Sequence, residues 1–254
     1  MNLKIGYWNL NKKERDFIAP YILELLREND LDLLVLSEFN FSEKDLNSSF
    51  LSTQYIAMQH SLVCKKVMII KKKELDFCVN SEDRRFMVIS SKKYSLTIVG
   101  LHLSDNFSDV KAQYKRMDTL RNVLESSIRI RNKKNIFIGD YNCMPYSDEL
   151  TDVNVMHCVL FKKEMKSKCN SKEKHYNPML LILNEEDEVY GSYRYDSGSC
   201  PLYWYAYDQV IVSKDLVDSI LDIKYLKQIN GNYVLHNRKQ IISDHLPLFL
   251  KINV

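Results

Sequence analysis

An α/β fold with a two-sheet core flanked by helices is the expectation this sequence sets, and three observations carry it. Short apolar runs alternate with stretches of helical spacing, strand-like runs number eight or more against only two long helical ones, and no repeat, proline-rich linker or low-complexity block interrupts them. The 254 residues, 45% apolar and 27% charged, are enough to bury most of the unfolded surface in one unit, so a single domain over 1–254 is predicted.

Leu3 to Trp8 and Leu31 to Leu36 read as strands. Between them Phe17, Ile18, Tyr21, Ile22, Leu25 and Leu26 recur at helical spacing, giving a strand–helix–strand unit. Lys66 to Ile70, Phe86 to Ser90 and Leu96 to Leu103 follow as strands, the last rich in β-branched residues. A second amphipathic helix is expected from about Val110 to Ile130, with Tyr114, Met117, Leu120, Val123 and Leu124 on one face, and Asn135 to Gly139 resumes as a strand. Tyr141 to Gly191 is mostly polar and irregular, a length of connection that usually serves function. Tyr205 to Ser213 and Pro247 to Val254 close the set as strands, with the moderately apolar Val217 to Leu226 between them.

Composition removes several classes of function. The six glycines come no closer than Gly191 and Gly198, which excludes the GxGxxG, Walker A and GxSxG loops. The cysteines Cys64, Cys78, Cys143, Cys158, Cys169 and Cys200 form no CxxC pair, and there is no HExxH. An opening of MNLKIGYWNLNKKERDF places charge where a signal peptide carries its apolar core, so a cytoplasmic protein with reduced thiols is expected. A net charge of +3, from 36 basic and 33 acidic residues, does not announce a nucleic-acid partner. The distribution is less even, because Lys162, Lys163, Lys166, Lys168, Lys172 and Lys174 crowd one segment. A solvated loop is the plainer reading of that cluster and a phosphate-tracking surface the sharper one.

Chemistry enters where polar residues fall at strand ends, the place at which α/β sheets assemble their sites. Asn9 and Asn11 follow KIGYW, Glu38 follows LDLLVLS, His102 lies in IVGLHLS and Asp140 and Asn142 follow NIFIG. Asp208 opens YDQVIVS, and Asp244 and His245 precede LPLFL. Each alone could be a turn former, a cap or a satisfied core histidine. Together, carboxylates and carboxamides without a cysteine cluster make a hard oxygen-ligand set suited to Mg²⁺ or Mn²⁺, and Mg²⁺ keeps positions for water and phosphate oxygens. Two histidines with acidic partners could then serve a phosphoryl group, and phosphoester hydrolysis is the reaction that follows.

In this order the segments YWNLN, LVLSEFN, GLHLSD, GDYNCMP, YDQVIVS and SDHLPL resemble the motifs of the endonuclease/exonuclease/phosphatase, or DNase I-like, superfamily over almost the whole chain. The resemblance implies a four-layer α/β sandwich, two packed mixed β-sheets covered by helices, with the site at one end. It implies Glu38 as principal Mg²⁺ ligand, Asn9 and Asn11 near the metal and phosphate, and Asp244 on the metal directly or through water. Asp140 would orient or deprotonate the attacking water, and Asn142 would hold that water or the transition-state phosphate. Asp208 would fix His245, and His245 and His102 would donate to phosphoryl oxygens. Asn11 stands where several branches carry Asp, so one tightly held metal is expected rather than two. Nucleic acid is the leading substrate, with the tyrosines and Trp204 around Tyr190 to Tyr205 able to stack exposed bases or simply to pack. A nucleotide, inositol phosphate or lipid headgroup is the alternative, and a non-catalytic binding protein a third. No apolar hairpin suggests membrane insertion.

Overall fold

Two strand–helix–strand crossovers, one in each sheet, set the frame. The first sheet holds β1 (Asn2–Asn9), β2 (Leu33–Ser37), β3 (Tyr55–Ala57), β4 (Val67–Lys72), β14 (Ile220–Tyr225) and β19 (Leu248–Asn253) in the order β14-β19-β1-β2-β4-β3. The second holds β5 (Cys78–Asp83), β6 (Phe86–Ser91), β7 (Leu96–His102), β8 (Lys134–Asp140), β9 (Cys158–Val159), β10 (His175–Tyr176) and β13 (Asp208–Ser213) in the order β5-β6-β7-β8-β13-β10-β9. Three short hairpins complete the strands: β11 (Tyr193–Arg194) with β12 (Trp204–Tyr205), β15 (Gln228–Ile229) with β16 (Asn232–Tyr233), and β17 (Leu235–His236) with β18 (Lys239–Gln240). The computed structural model describes residues 1–58, 61, 63–105, 110–166, 173–186, 188–195, 203–236 and 239–254.

Helix α1 (Arg15–Glu28) carries the chain from β1 to the parallel neighbour β2, and α3 (Val110–Ile128) carries it from β7 to the parallel β8. Such connections need a crossover, and a helix with one apolar face covers the sheet it crosses. Ile18, Ile22, Leu25 and Leu26 are buried on α1, and Met117, Leu120 and Val123 on α3. The side chains of β7 and β8 alternate accordingly. Ile98, Ile136 and Ile138 join the core shared with the first sheet, while Val99, Leu101 and Phe137 pack in a second cluster with α3. At Gly100 an added Cβ would come 2.7 Å from Val35 of β2, so the sheets pack face to face there. The layers are thus helix, sheet, sheet, helix. No helix among the described residues is long and apolar enough to cross a membrane.

Three short elements escape the sequence pattern. Helix α2 (Glu43–Ser49) buries only Leu46, but Ser42 and Asp45 form a capping box at its start. Strand β5 is polar and lies on the sheet edge, and β3 has three residues. The run expected as one strand from Tyr205 to Ser213 is broken, since Tyr205 belongs to the β11–β12 hairpin and β13 begins at Asp208. The stretch expected to be irregular carries helix α4 (Asp148–Thr151), β9, β10 and 3-10 turns at Lys162–Lys166 and Pro178–Leu181. Its buried Met156, Met165 and Met179 pack onto the core.

Candidate active site

The two parallel pairs end at the same edge of the sandwich, and their C-terminal ends deliver the polar residues. Asn9 is the last residue of β1 and Glu38 the first after β2; His102 and Asp140 end β7 and β8 and are register partners. Asp208 opens the antiparallel β13 directly opposite Asp140. Asp244 and His245 arrive on the turn before β19, held by Trp8 Nε1 donating to the His245 carbonyl at 3.0 Å and by Ser243 Oγ donating to the Asn9 carbonyl at 2.7 Å. Gly139 permits the approach of β7 to β8, because a Cβ there would lie 1.9 Å from the Leu101 carbonyl oxygen.

Glu38 adopts a left-handed backbone with φ of 49°, unusual for a residue of its size, and Lys12 N donates to its carbonyl at 2.6 Å. Backbone cost of order 1 kcal/mol retained at a strand end points to function. Its Oε1 lies 3.3 Å from His102 Nε2, and the imidazole draws the carboxyl down to about 2 despite partial burial. On its other side His102 Nε2 is 3.7 Å from Asp140 Oδ2, and neither ring nitrogen has a hydrogen-bond partner among the described residues.

Asp140 is 1% exposed and held at both oxygens. Asn142 N donates to Oδ1 at 2.8 Å and Asn9 Nδ2 to Oδ2 at 3.1 Å. Burial, then the charge of Asp208, raises its pKa, with His245 and His102 opposing. Asn142 also has a positive φ, 48°, and its Nδ2 donates to the Leu103 carbonyl at 3.1 Å, which orients the side-chain amide. Asn9 Oδ1 accepts from the Asn11 backbone at 3.0 Å, so Asn9 braces both Asp140 and the following turn, and Asn11 sits half-buried on that turn at φ 47°.

Asp208 is fully buried and bonds His245 Nδ1 through Oδ2 at 2.7 Å. Burial opposes charge on His245, yet Asp208 outweighs it and, with Asp140 and Asp244, lifts the imidazole to about 10. The fixed Nδ1 leaves Nε2 as the working nitrogen. Around this pair stand Tyr193, one of the aromatics the sequence marks for stacking or packing, whose ring centroid is 4.6 Å from that of His245, and two groups that sequence patterning misses: Ser192, whose Oγ accepts from Asp208 N at 3.0 Å, and Tyr225, whose hydroxyl donates to the Asp208 carbonyl at 2.7 Å. The buried Arg116–Glu149 ion pair, at 2.6 Å, lines a cavity of about 320 Å³ that reaches Asn142 and Tyr207.

Asp140, Asp208 and His245 offer ligand atoms within 4.8 Å of one another. Asp208 Oδ2 and His245 Nδ1 already satisfy each other, so this trio is a poor metal cage. Glu38 and Asp244 fit a cation better. Burial, together with the charges of Glu38 and Asp208, raises the Asp244 pKa, and Asp244 Oδ1 is buried with no hydrogen bond among the described residues. The Glu38 and Asp244 carboxylates are hard oxygen donors of the kind a divalent ion such as Mg²⁺ takes.

Of the described lysines in the cluster, Lys174 stands away from the site. Lys174 precedes β10, whose His175 pairs with Ser213, five residues along β13 from Asp208 and so roughly 16 Å from the acidic end. Lys162 pairs with Asp218 at 3.6 Å, and Lys174 Nζ donates to the Glu164 carbonyl. The solvated-loop reading is the one these positions support; Lys168 and Lys172, like Cys169 and Cys200, lie outside the described residues. Cys64, Cys78, Cys143 and Cys158 are free thiols.

No protein-family model matches the sequence, and no curated protein does. Solved structures do match along their full length. A Bacteroides thetaiotaomicron protein of the endonuclease/exonuclease/phosphatase family superposes with a TM-score of 0.63 at 13% identity, over 100% of this chain and 99% of the other. This is the endonuclease/exonuclease/phosphatase fold. The same fold is shared by the 3′ phosphatase NExo from Neisseria bound to a product DNA hairpin, with a TM-score of 0.63 at 15% identity over 99% and 100% of the two chains. It is shared too by D. rerio TDP2 complexed with a single-strand DNA product, at 0.63 and 14% over 100% and 99%.

Proposed function

We propose that this chain, working as one domain over 1–254, is a metal-dependent phosphodiesterase that hydrolyses nucleic acid by in-line attack of water. The observation that carries the reading is the Asp208–His245 pair at 2.7 Å facing Asp140 across paired strands, with Glu38 and Asp244 beside it. A binding protein has no physical need for a buried imidazolium braced against a buried carboxylate. The fold neighbours that hold DNA products support nucleic acid as substrate.

Glu38 and Asp244 would hold Mg²⁺ or Mn²⁺, with Asn9 and Asn11 at its margin, and the ion when bound supplies positive charge to the phosphate oxygens. Asp140, its pKa raised by burial and braced by Asn9 and Asn142, takes the proton of the attacking water. Asn142 holds that water or an equatorial phosphate oxygen. His245, kept cationic by Asp208, donates from Nε2 to the phosphoryl oxygen on which charge accumulates. His102, between Glu38 and Asp140, orients both carboxylates and offers a second donor to the phosphate.

The test is a Mg²⁺-dependent turnover screen of the wild type beside Asp140→Ala, across single-stranded and duplex DNA, RNA, nucleotides, inositol phosphates and sphingomyelin. Hydrolysis of a polymer that disappears in the variant is the expected result. Activity confined to small phosphates would replace the nuclease by a small-molecule phosphatase, and silence without Mg²⁺ binding would leave a non-catalytic protein.

A further inference from the structure

The β11–β12 hairpin has two faces, and the catalytic reading uses one. Tyr193 and Tyr205 are cross-strand partners, as are Arg194 and Trp204, and successive residues of a strand point to opposite sides. Tyr193 lies against His245. Arg194 and Trp204 instead line a separate cavity of about 500 Å³ with Glu188, Tyr190, Lys227 and Tyr233. The two sides of the hairpin approach closely, since a Cβ on Gly191 would come 2.6 Å from the Tyr205 carbonyl oxygen. One strand's thickness therefore separates this cavity from the imidazole proposed to serve the phosphate.

Its lining selects a chemistry. The Trp204 and Tyr190 rings are 6.4 Å apart at 47°, and the Arg194 guanidinium carbon is 5.7 Å from the Trp204 centroid. Tyr190 is 46% exposed and Tyr233 42%. The volume lies within the range of small-molecule sites. Ring faces stack a nucleobase, Arg194 and Lys227 oppose a phosphate, and Glu188 accepts from a base amino group. A quaternary ammonium would welcome the rings but meet the Arg194 and Lys227 side chains, and a purely apolar ligand would make no use of the charged lining.

We propose that this cavity is a second nucleotide subsite, which takes the base of a nucleotide flanking the reacting phosphate in a single-stranded nucleic acid. The inference deepens the nuclease reading and rests on it for the identity of the strand.

The test uses chelator-treated full-length protein, so that binding is read without turnover. Short oligodeoxyadenylate and, separately, phosphocholine are titrated while tryptophan emission is followed. The chain has two tryptophans, and Trp8, though fully buried, bonds the His245 carbonyl, so each titration is repeated in Trp204→Phe and the emission change lost in that variant reports Trp204. The oligonucleotide should alter the emission and phosphocholine should not. The double variant Arg194→Gln/Lys227→Gln should weaken oligonucleotide binding roughly tenfold and reduce the slope of log K against log salt by about 1.4, at ~0.7 per cation for a single strand. Absence of binding, binding with silent Trp204, quenching by phosphocholine or an unchanged slope would each overturn the subsite. The wild-type titration stands even where the double variant does not fold. Trp204 quenching without hydrolysis after Mg²⁺ is restored would remove the catalytic reading and keep the subsite; hydrolysis with a silent Trp204 would do the reverse.

Discussion

His102 and His245 are both buried and both face Asp140's end of the sheet, yet their surroundings differ. His245 has one strong partner, Asp208, which fixes its tautomer and lifts it to about 10. His102 lies 3.3 Å from Glu38 and 3.7 Å from Asp140, and among the described residues neither of its nitrogens has a hydrogen-bond partner. The difference shows that a strand-end histidine acquires its chemistry from what the opposite strand delivers. Asp208 comes from β13, paired to β8, whereas Glu38 reaches His102 from the other sheet.

The widest gap between the two should appear in turnover. His245→Ala is expected to lower kcat by about 10³-fold or more while the far-ultraviolet spectrum is retained, since a positioned donor is worth of order 10²–10⁴. A rate within tenfold of wild type would end the assignment. His102→Gln should be milder, with Mg²⁺ affinity, read by calorimetry, falling about 10–100-fold as Glu38 loses the ring that stands 3.3 Å from its Oε1 and positions it. If His102→Gln proved the more damaging to kcat, the two roles would have to be exchanged.

Titration sharpens the same contrast. In metal-free protein the His245 ring protons, followed by NMR, should titrate near pH 10, and in Asp208→Asn they should fall toward the ordinary histidine range near 6.5. Because the folded value lies above the unfolded one, the pair's stabilisation is fully present below about pH 6.5 and is lost as pH rises through about 10. A ring that titrates near 6.5 in the wild type would dissolve the pairing. The smallest expected effect is at the far end of the sheet, where Lys162→Gln/Lys163→Gln should leave the salt dependence of oligonucleotide binding unchanged; a reduced slope would return those cations to the substrate path.

Much of this contrast is legible in the sequence. YWNLN, SEFN, GLHLS, GDYN, YDQV and SDH each follow or open an apolar run, so strand ends, and with them Glu38, His102, Asp140 and His245, can be read off directly. The pairing partner of each histidine cannot, because Asp208 and His245 meet only through sheet order, and periodicity carries no order. The place of Tyr193 beside His245, and Ser192 altogether, were hidden for a related reason: Asp196, Gly198 and Pro201 mark a turn after Arg194, but nothing in the aromatic run from Tyr203 shows where the hairpin gives way to the strand at Asp208. The lysine cluster misleads because charge marks a surface without saying which end of the sheet it occupies. Residues of β5 and α2 escape through length and polarity, though the Ser42–Asp45 box was there to be read.

A double-mutant cycle on turnover puts the central claim at greatest risk. Asp208→Asn and His245→Gln should each cost kcat heavily, and the double variant should be no slower than His245→Gln alone, because Asp208 acts through the imidazole it holds. Losses that multiply would mean that Asp208 and His245 work independently, and the account of a braced imidazolium would be wrong.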